Sequence, residues 1–276
     1  MTRNGPVLVI EAGRTERHYW RDLWGYRELF FFLAWRDILV RYKQAVIGVA
    51  WSVIRPLLTM AIFTFVFGKL AKLPADGVPY PILVFAALLP WQFMSTAVGE
   101  GSNSLIQNAN IISKVYFPRV IVPMSAVMVS LVDFLISLVL LSGLVVWYRW
   151  WPDWSILALP LILLLAMAVS VGFILWLAAL NVRYRDFRYV VPFMIQVGLF
   201  ISPVGFSSAI VPEEWRLLYS LNPVVGVIDG FRWALLGGAG DIYWPSVVLS
   251  ALISAVILVS GLRYFRHTER TFADVI

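Results

Sequence analysis

Six apolar stretches, each long enough to cross a bilayer, dominate the sequence: Ala45–Phe67, Pro81–Val98, Val120–Tyr148, Ser155–Leu180, Tyr189–Phe206 and Ile242–Leu262. About 20 helical residues at a rise of ~1.5 Å cover a hydrocarbon core of ~30 Å. Backbone amides in lipid must be bonded within their own segment, so such runs have to be helices. Arg55 interrupts the first run and is followed by Pro56; Asp133 interrupts the third; Pro192 and Pro203 fall in the fifth. The chain is 61% hydrophobic and 14% charged over 276 residues, against about 45–50% and about 25% in ordinary soluble domains. A soluble core cannot hide that much apolar surface. The expectation is an all-α integral membrane protein with six transmembrane helices in 44–264. A cytoplasmic N-terminal segment (1–28), an interfacial amphipathic helix (29–43) and a cytoplasmic tail (265–276) complete the chain.

Six spans put both termini on one side, and lysine and arginine decide which. The N-terminal side carries Arg3, Arg14, Arg17, Arg21, Arg27, Arg36, Arg41 and Lys43. Loops on that side add Lys114, Arg119, Arg183, Arg185 and Arg188, and the tail adds Arg263, Arg266 and Arg270. The other side holds Lys69, Lys72, Arg149, Arg216 and Arg232. Positive charge is retained in the cytoplasm, so both termini are expected there. The net charge of +6 has the same origin and does not imply nucleic acid. Trp147, Trp150, Trp151 and Trp154 surround the short outer turn between the third and fourth runs, where aromatic rings favour the headgroup level. The opening residues contain no long apolar core of the kind a cleaved signal peptide needs.

Two segments exceed a plain six-helix plan. In "LFFFLAWRDILVRY" (29–42), Phe31, Trp35, Ile38 and Tyr42 share one helical face, with Phe32 and Leu39 beside them. Arg36, Asp37 and Arg41 take the opposite arc, and Asp37 and Arg41 have i,i+4 ion-pair spacing. The pattern reads as a helix lying in the cytoplasmic interface, either a simple anchor or a moving part. Phe30 and Leu33 fall on the polar arc and are left to contact other helices. The second segment, Ser207–Gly240, is too long for a plain connection and too apolar to be disordered. Pro212 before Glu213 and Glu214 opens one short helix. Asn222 before Pro223 opens another, and Gly237 stops it. Asp229 and Arg232 have i,i+3 pair spacing. Two short helices on the outer face are expected, as packing decoration or as a gate.

Autonomous chemistry has little to work with. The Gly68–Lys69 pair has Phe63 where the first glycine of a phosphate loop belongs. There is no cysteine, and the two histidines, His18 and His267, sit in polar terminal segments, so no metal site is expected. The outer acids Asp76, Asp153, Glu213, Glu214, Asp229 and Asp241 are scattered and make no catalytic dyad. At membrane depth only Arg55, Asp133 and Glu100 are ionisable. Arg55 and Asp133 are placed at similar depth, and a pair between spans one and three is expected because neither charge is tolerated alone. One pair is thin support for a proton relay. A membrane conduit with no energy source of its own calls for a partner that hydrolyses ATP. The basic, aromatic "NVRYRDFRYVVP" (181–192) is the best docking handle for such a motor.

Four stretches in this order resemble one family: "RYKQAVIGVAWSVIRPLL", "ISKVYFPRVIVPMSAV", "LNVRYRDFRYVVPF" and "LNPVVGVIDGFRWALLG". They are similar to the membrane subunit of ABC-2 type polysaccharide exporters, which move O-antigen, capsule or teichoic-acid chains on a polyprenyl carrier. The resemblance runs from about Phe30 to the end of span six. It implies a homodimer of permease chains completed by two copies of a separate cytoplasmic ATPase, with ATP and Mg bound there and no cofactor on this chain. It implies that Phe31, Trp35, Arg36, Asp37 and Arg41 lie on an interfacial gate helix. Arg183, Tyr184, Arg185, Asp186 and Arg188 would form the element coupling to the ATPase. Trp215, Tyr219, Asn222, Asp229, Arg232 and Trp233 would lie on periplasmic gate helices. Sugar rings have apolar faces, so an aromatic-lined channel at the dimer interface suits a sliding chain; Trp51, Trp91 and Phe93 are the candidates, with Trp91 and Phe93 alternatively interface anchors or core packing, and with Arg55 and Asp133 as polar ones. The family pattern is expected to carry an uncharged polar residue where Arg55 stands; an arginine there suits a carrier pyrophosphate.

The reading is thus a non-enzymatic inner-membrane permease subunit exporting polyprenyl-pyrophosphate-linked polysaccharide. Its partners are a second copy, the ATPase, the glycan and membrane lipids, with no nucleic acid. The alternatives are an ABC-2 permease for a small hydrophobic drug or lipid, an ion-coupled secondary transporter, and a membrane-embedded enzyme.

Overall fold

The computed structural model describes residues 19–43, 48–75, 77–237 and 242–272. His18 and the rest of 1–18, the expected start of span one at Ala45, Asp76, Asp241 and the last residues of the tail lie outside the described residues. Among the described residues the fold is entirely helical. A short α1 (Tyr19–Gly25) leads into α2 (Arg27–Lys43). α3 (Gly48–Phe63) continues as a π-helical stretch (Thr64–Leu70). Next come α4 (Tyr80–Gln107), the short α5 (Ala109–Ile112) and α6 (Ile121–Trp147). A 3₁₀ turn (Trp154–Ala158) opens α7 (Leu159–Arg183), followed by α8 (Phe187–Ile201). Two short helices, α9 (Glu213–Tyr219) and α10 (Pro223–Leu235), precede α11 (Trp244–Thr268).

Proline and capping residues set these boundaries. α4, α7, α10 and α11 each carry proline in the first turn, where its missing N–H costs nothing. The Asn222 side chain accepts from Val224 N–H at 3.1 Å, capping α10. Gly237, at φ +69°, ends it in the left-handed region that glycine tolerates.

Among the described residues five helices are long and apolar enough to cross a membrane: Ala50–Leu70, Tyr80–Gln107, Ile121–Trp147, Trp154–Arg183 and Trp244–Thr271. The expected fifth run, Tyr189–Phe206, is shorter than the sequence implied, because α8 stops at Ile201. Ser202 turns extended at ψ 151°, as a residue before proline prefers. Fifteen residues of helix reach only about 22 Å.

α4 is the hub. It runs through the centre against α6, α7, α10 and α8, and every residue from Ile82 to Trp91 is buried. α7 and α11 approach closely because a Cβ on Gly261 would meet the Gly172 carbonyl oxygen at 2.8 Å. Small residues allow this in membranes, where packing rather than the hydrophobic effect joins helices. α3 and α8 lie at the periphery, with Trp51, Leu58, Ile62, Phe193 and Phe200 all exposed. Trp147, Trp151 and Trp154 stand exposed around the α6–α7 turn.

Candidate functional site

The bundle has a basic end, where α2 and the α7–α8 loop lie, and an opposite end carrying α9 and α10. At the basic end α2 turns its charged arc inward and leaves Phe31, Phe32 and Trp35 exposed. Leu33 and Ala34 are buried, and the helix packs mainly on α6. Arg41 is the centre of a network. Its Nη1 donates to Glu100 Oε1 of α4 at 2.7 Å, and its Nη2 pairs with Asp133 Oδ2 of α6 at 2.9 Å. Tyr42 donates its hydroxyl proton to the other oxygen of Asp133. Arg36 bonds Asp37 Oδ1 at 2.7 Å and Asn108 Oδ1 at 2.8 Å. Burial, then the bond to Asp133, pushes the Tyr42 phenol up to about 12, so it stays a donor. Arg36, Asp37, Arg41, Glu100 and Asn108 wall a cavity of about 480 Å³ that also reaches Val40, Ser104 and Gln107.

Two expected pairs are corrected here. Asp37 pairs with its neighbour Arg36 and not with Arg41, because Arg41 is drawn away to two carboxylates on α4 and α6. Asp133 does not meet Arg55. Arg41 and Tyr42, adjacent at the end of α2, satisfy both its oxygens, while the Arg55 side chain is exposed on peripheral α3. In sequence Glu100 is marked only as ionisable and Tyr42 by no polar role, while Asn108 lies in an Asn-rich stretch (102–119) suited to polar contacts or a helix turn without a named partner. Their pairings span 59 to 91 residues of sequence, which no local pattern reveals.

Beside this network the α7–α8 loop projects outward. Asn181 anchors it, donating to the Ser102 carbonyl at 3.0 Å and to Asn103 Oδ1 at 2.8 Å. Beyond that anchor Arg183, Tyr184, Arg185, Asp186 and Arg188 are all exposed, with the Arg183 guanidinium 5.5 Å from the Tyr184 ring centroid. α1 meets the end of α11 nearby. Glu269 accepts from the Arg119 backbone N–H at 2.5 Å and from the Tyr19 hydroxyl at 3.3 Å. Arg119 also donates its guanidinium to the Glu269 carbonyl. Arg266 stacks 4.5 Å over the Tyr19 ring. Burial, then Glu269, raises the Tyr19 phenol above its ordinary range. No local pattern marks this clasp, whose partners lie 150 to 250 residues apart.

The opposite end is built on α10. Arg232, 7% exposed, donates to the backbone carbonyls of Phe206 at 2.7 Å, Val204 at 3.1 Å and Leu83 at 3.4 Å. It thereby holds the non-helical chain after α8 against the start of α4. Asp229, also buried, accepts from the Ser208 hydroxyl at 2.9 Å. Burial raises its carboxyl to about 6, and the Arg232 charge and the Ser208 bond hold it from rising further. Asn222 donates to Ser202 Oγ at 3.1 Å. Trp233 packs edge-on against Trp154 and Trp244 at 6.0 and 5.6 Å. Trp215 is exposed. Tyr219 lines, with Asp229, Arg232, Trp233 and Arg216, a cavity of about 380 Å³.

The aromatic candidates separate. Trp51 is exposed on α3. Trp91 and Phe93 are core residues of this chain and do not line an open path through it. Trp91 lies against Gly198 of α8. Phe93 stacks edge-on with Phe134 at 5.8 Å, which meets Phe231 at 5.9 Å. Among the described residues no group of acids and histidines could hold a metal ion.

A family model for the ABC-2 type transporter matches residues 28–236. The chain is 28% identical to the O-antigen export system permease protein RfbA of Myxococcus xanthus over 259 residues, 93% of this chain and 98% of that protein. It is 26% identical to the RfbA permease of Klebsiella pneumoniae over 250 residues, 90% of this chain and 95% of that one. It is 22% identical to the polysialic acid transport protein KpsM of Escherichia coli over 239 residues, 85% of this chain and 91% of that protein. The matched region takes in α2, the α7–α8 loop and both short helices at the opposite end, and on that ground the chain belongs to the ABC-2 type transporter family of membrane proteins.

Proposed function

We propose that this chain is the permease subunit of an ATP-driven exporter that moves polyprenyl-pyrophosphate-linked polysaccharide across the inner membrane of a bacterium. The observation that carries the reading is likeness along nearly the whole chain to relatives named for O-antigen export and polysialic acid transport. The basic end is the cytoplasmic one, with 29–43 as an interfacial gate helix and 44–264 as the transmembrane domain. α8 with the extended residues after it makes a short additional span, the sixth. Two copies pair through peripheral faces rich in exposed apolar side chains, such as those of α3 and α8, and enclose the path for the glycan between them. Arg55 and Trp51 then face that path instead of lipid, which would not tolerate the charge.

The exposed Arg183–Arg188 loop docks a separate cytoplasmic ATPase, which binds ATP and Mg. Its flexible arginines and its tyrosines suit a groove on a soluble partner, and the Asn181 anchor transmits force from that groove to α4. The permease itself carries out no chemistry. Deletion of the gene should abolish surface polysaccharide, and the tagged chain should co-purify with an ATPase. In that complex Arg185→Ala with Asp186→Ala should leave assembly intact and reduce stimulated ATP hydrolysis; unchanged stimulation would remove the loop from the coupling path. Transport by the chain alone down an ion gradient would overturn the whole reading.

A further inference from the structure

The cavity at the α10 end contains polar groups that the helices around it leave under-used. The Tyr219 hydroxyl is buried without a hydrogen-bond partner. Asp229 accepts a single bond, from Ser208, whereas an ionised carboxylate offers about four acceptor sites. Burying a polar group without a partner is unfavourable, and both groups line the same space of about 380 Å³. That volume lies within the range of about 300–1,000 Å³ typical of small-molecule sites.

The two arginines in the wall are committed elsewhere. Arg216 donates to the carbonyls of Val211 and Ala209, both at 3.0 Å. Arg232 donates to three further carbonyls. A phosphate or carboxylate ligand would therefore meet guanidinium groups whose donors face backbone, beside the negative charge of Asp229. A cation would meet two positive charges. The cavity offers instead an acceptor carboxylate, a phenol that both donates and accepts, the hydroxyls of Ser207 and Ser246, and the rings of Trp233 and Tyr243 as apolar surface. A neutral molecule with several hydroxyls and one apolar face fits this combination, and a pyranose ring is such a molecule.

We propose that this cavity is a saccharide subsite in which Asp229 and Tyr219 hydrogen-bond neighbouring hydroxyls of one sugar residue of the exported chain. The inference rests on the exporter reading and gives it a ligand-binding place within one protomer, apart from any path between two. A sugar held there bridges α9, through Tyr219, to α10, through Asp229, so occupancy fixes the two short helices relative to each other.

The test uses the complete complex of this chain with its ATPase in lipid nanodiscs. It is titrated with the methyl glycosides of mannose, galactose and N-acetylglucosamine, and saturation-transfer NMR is read on the sugar protons. At least one glycoside is expected to bind. Tyr219→Phe removes only the unpartnered oxygen, so it should unfold at the same temperature or higher. It should weaken binding about fivefold to tenfold, the worth of one hydrogen bond. Asp229→Asn should weaken it as well. No binding of any glycoside, or binding unchanged in both variants, overturns the subsite. Surface polysaccharide in the deletion strain separates the two ideas. If deletion abolishes it and glycosides do not bind, the subsite alone falls; if deletion leaves it intact, the exporter reading falls.

Discussion

At the basic end Arg41 meets two carboxylates carried by two other helices, whereas at the opposite end Arg232 meets three backbone carbonyls. The first arrangement is half-buried and made of long side chains, each of which can find water if the helices part. The second is buried, and two of its carbonyls, those of Val204 and Phe206, belong to a non-helical stretch. Removing α2 from its seat thus exchanges ion pairs for hydration. Removing Arg232 takes the donor away from those two acceptors. One end is built to be undone and the other to stay assembled, although both are organised by a single arginine.

The sharpest way to break that contrast is Arg232→Ala. It strands the carbonyls of Val204 and Phe206 and leaves the Asp229 charge uncompensated, a loss of about 3–5 kcal/mol. The expected outcome is a large drop in unfolding temperature, with proteolysis appearing first in 202–212. Arg232→Lys should not restore it, since one ammonium cannot serve three diverging carbonyls. Next comes pH. The Asp229 carboxyl is raised in the fold from an ordinary value of 3.8 to about 6, so the folded chain binds a proton that the unfolded chain has lost. That contribution is complete below the ordinary value and disappears as pH rises through about 6. Its size is roughly 3 kcal/mol. The unfolding temperature should therefore fall between about pH 4 and pH 6.5, and Asp229→Asn should flatten that part of the profile. A profile identical to that of the unaltered chain would mean the carboxyl is not buried as described.

Smaller effects are expected at the basic end. Arg41→Gln should cost about 1 kcal/mol, in keeping with partly exposed pairs, and proteolytic accessibility of α2 should rise while α10 is unaffected. If Arg41→Gln destabilised the chain as strongly as Arg232→Ala, the contrast between the ends would collapse. Smallest of all, Arg55→Gln should change stability by no more than about 0.5 kcal/mol, as for surface positions. Any defect in export by that variant would then report a contact outside this chain.

Much of the architecture was legible because it follows local rules. The apolar runs that became α4, α6, α7 and α11 are set by the length a helix needs in lipid. Asn222, Pro223 and Gly237 mark α10 through capping and backbone chemistry alone. The early end of α8 was also written in the sequence, in Pro203 after Ser202, but a count of hydrophobicity passes over it. The pairings of the charged groups were not legible. Spacing proposed Asp37 with Arg41, and depth proposed Arg55 with Asp133. The actual partners depend on how α2 lies across α4 and α6, a tertiary fact with no periodicity. For Trp91 and Phe93 the sequence leaves a lining role and core packing both open, because an aromatic side chain in a membrane helix looks the same in sequence whether it packs or faces a path; within this chain both are buried.

The clasp around Glu269 has a mechanical meaning. Tyr19, the first residue of α1, is pinned to Glu269 in the 3₁₀ turn after α11, and Arg41, near the far end of α2, is pinned to α4 and α6. α1 and α2 together therefore form a beam on two supports. Opening the Arg41 support alone leaves α2 a lever of about 25 Å, held through α1 beside Glu269. Opening the Glu269 support alone swings the other end instead. Which support yields first decides the direction of travel, so a substitution at the far end of the sequence from α2 can reverse the motion of α2 without touching it.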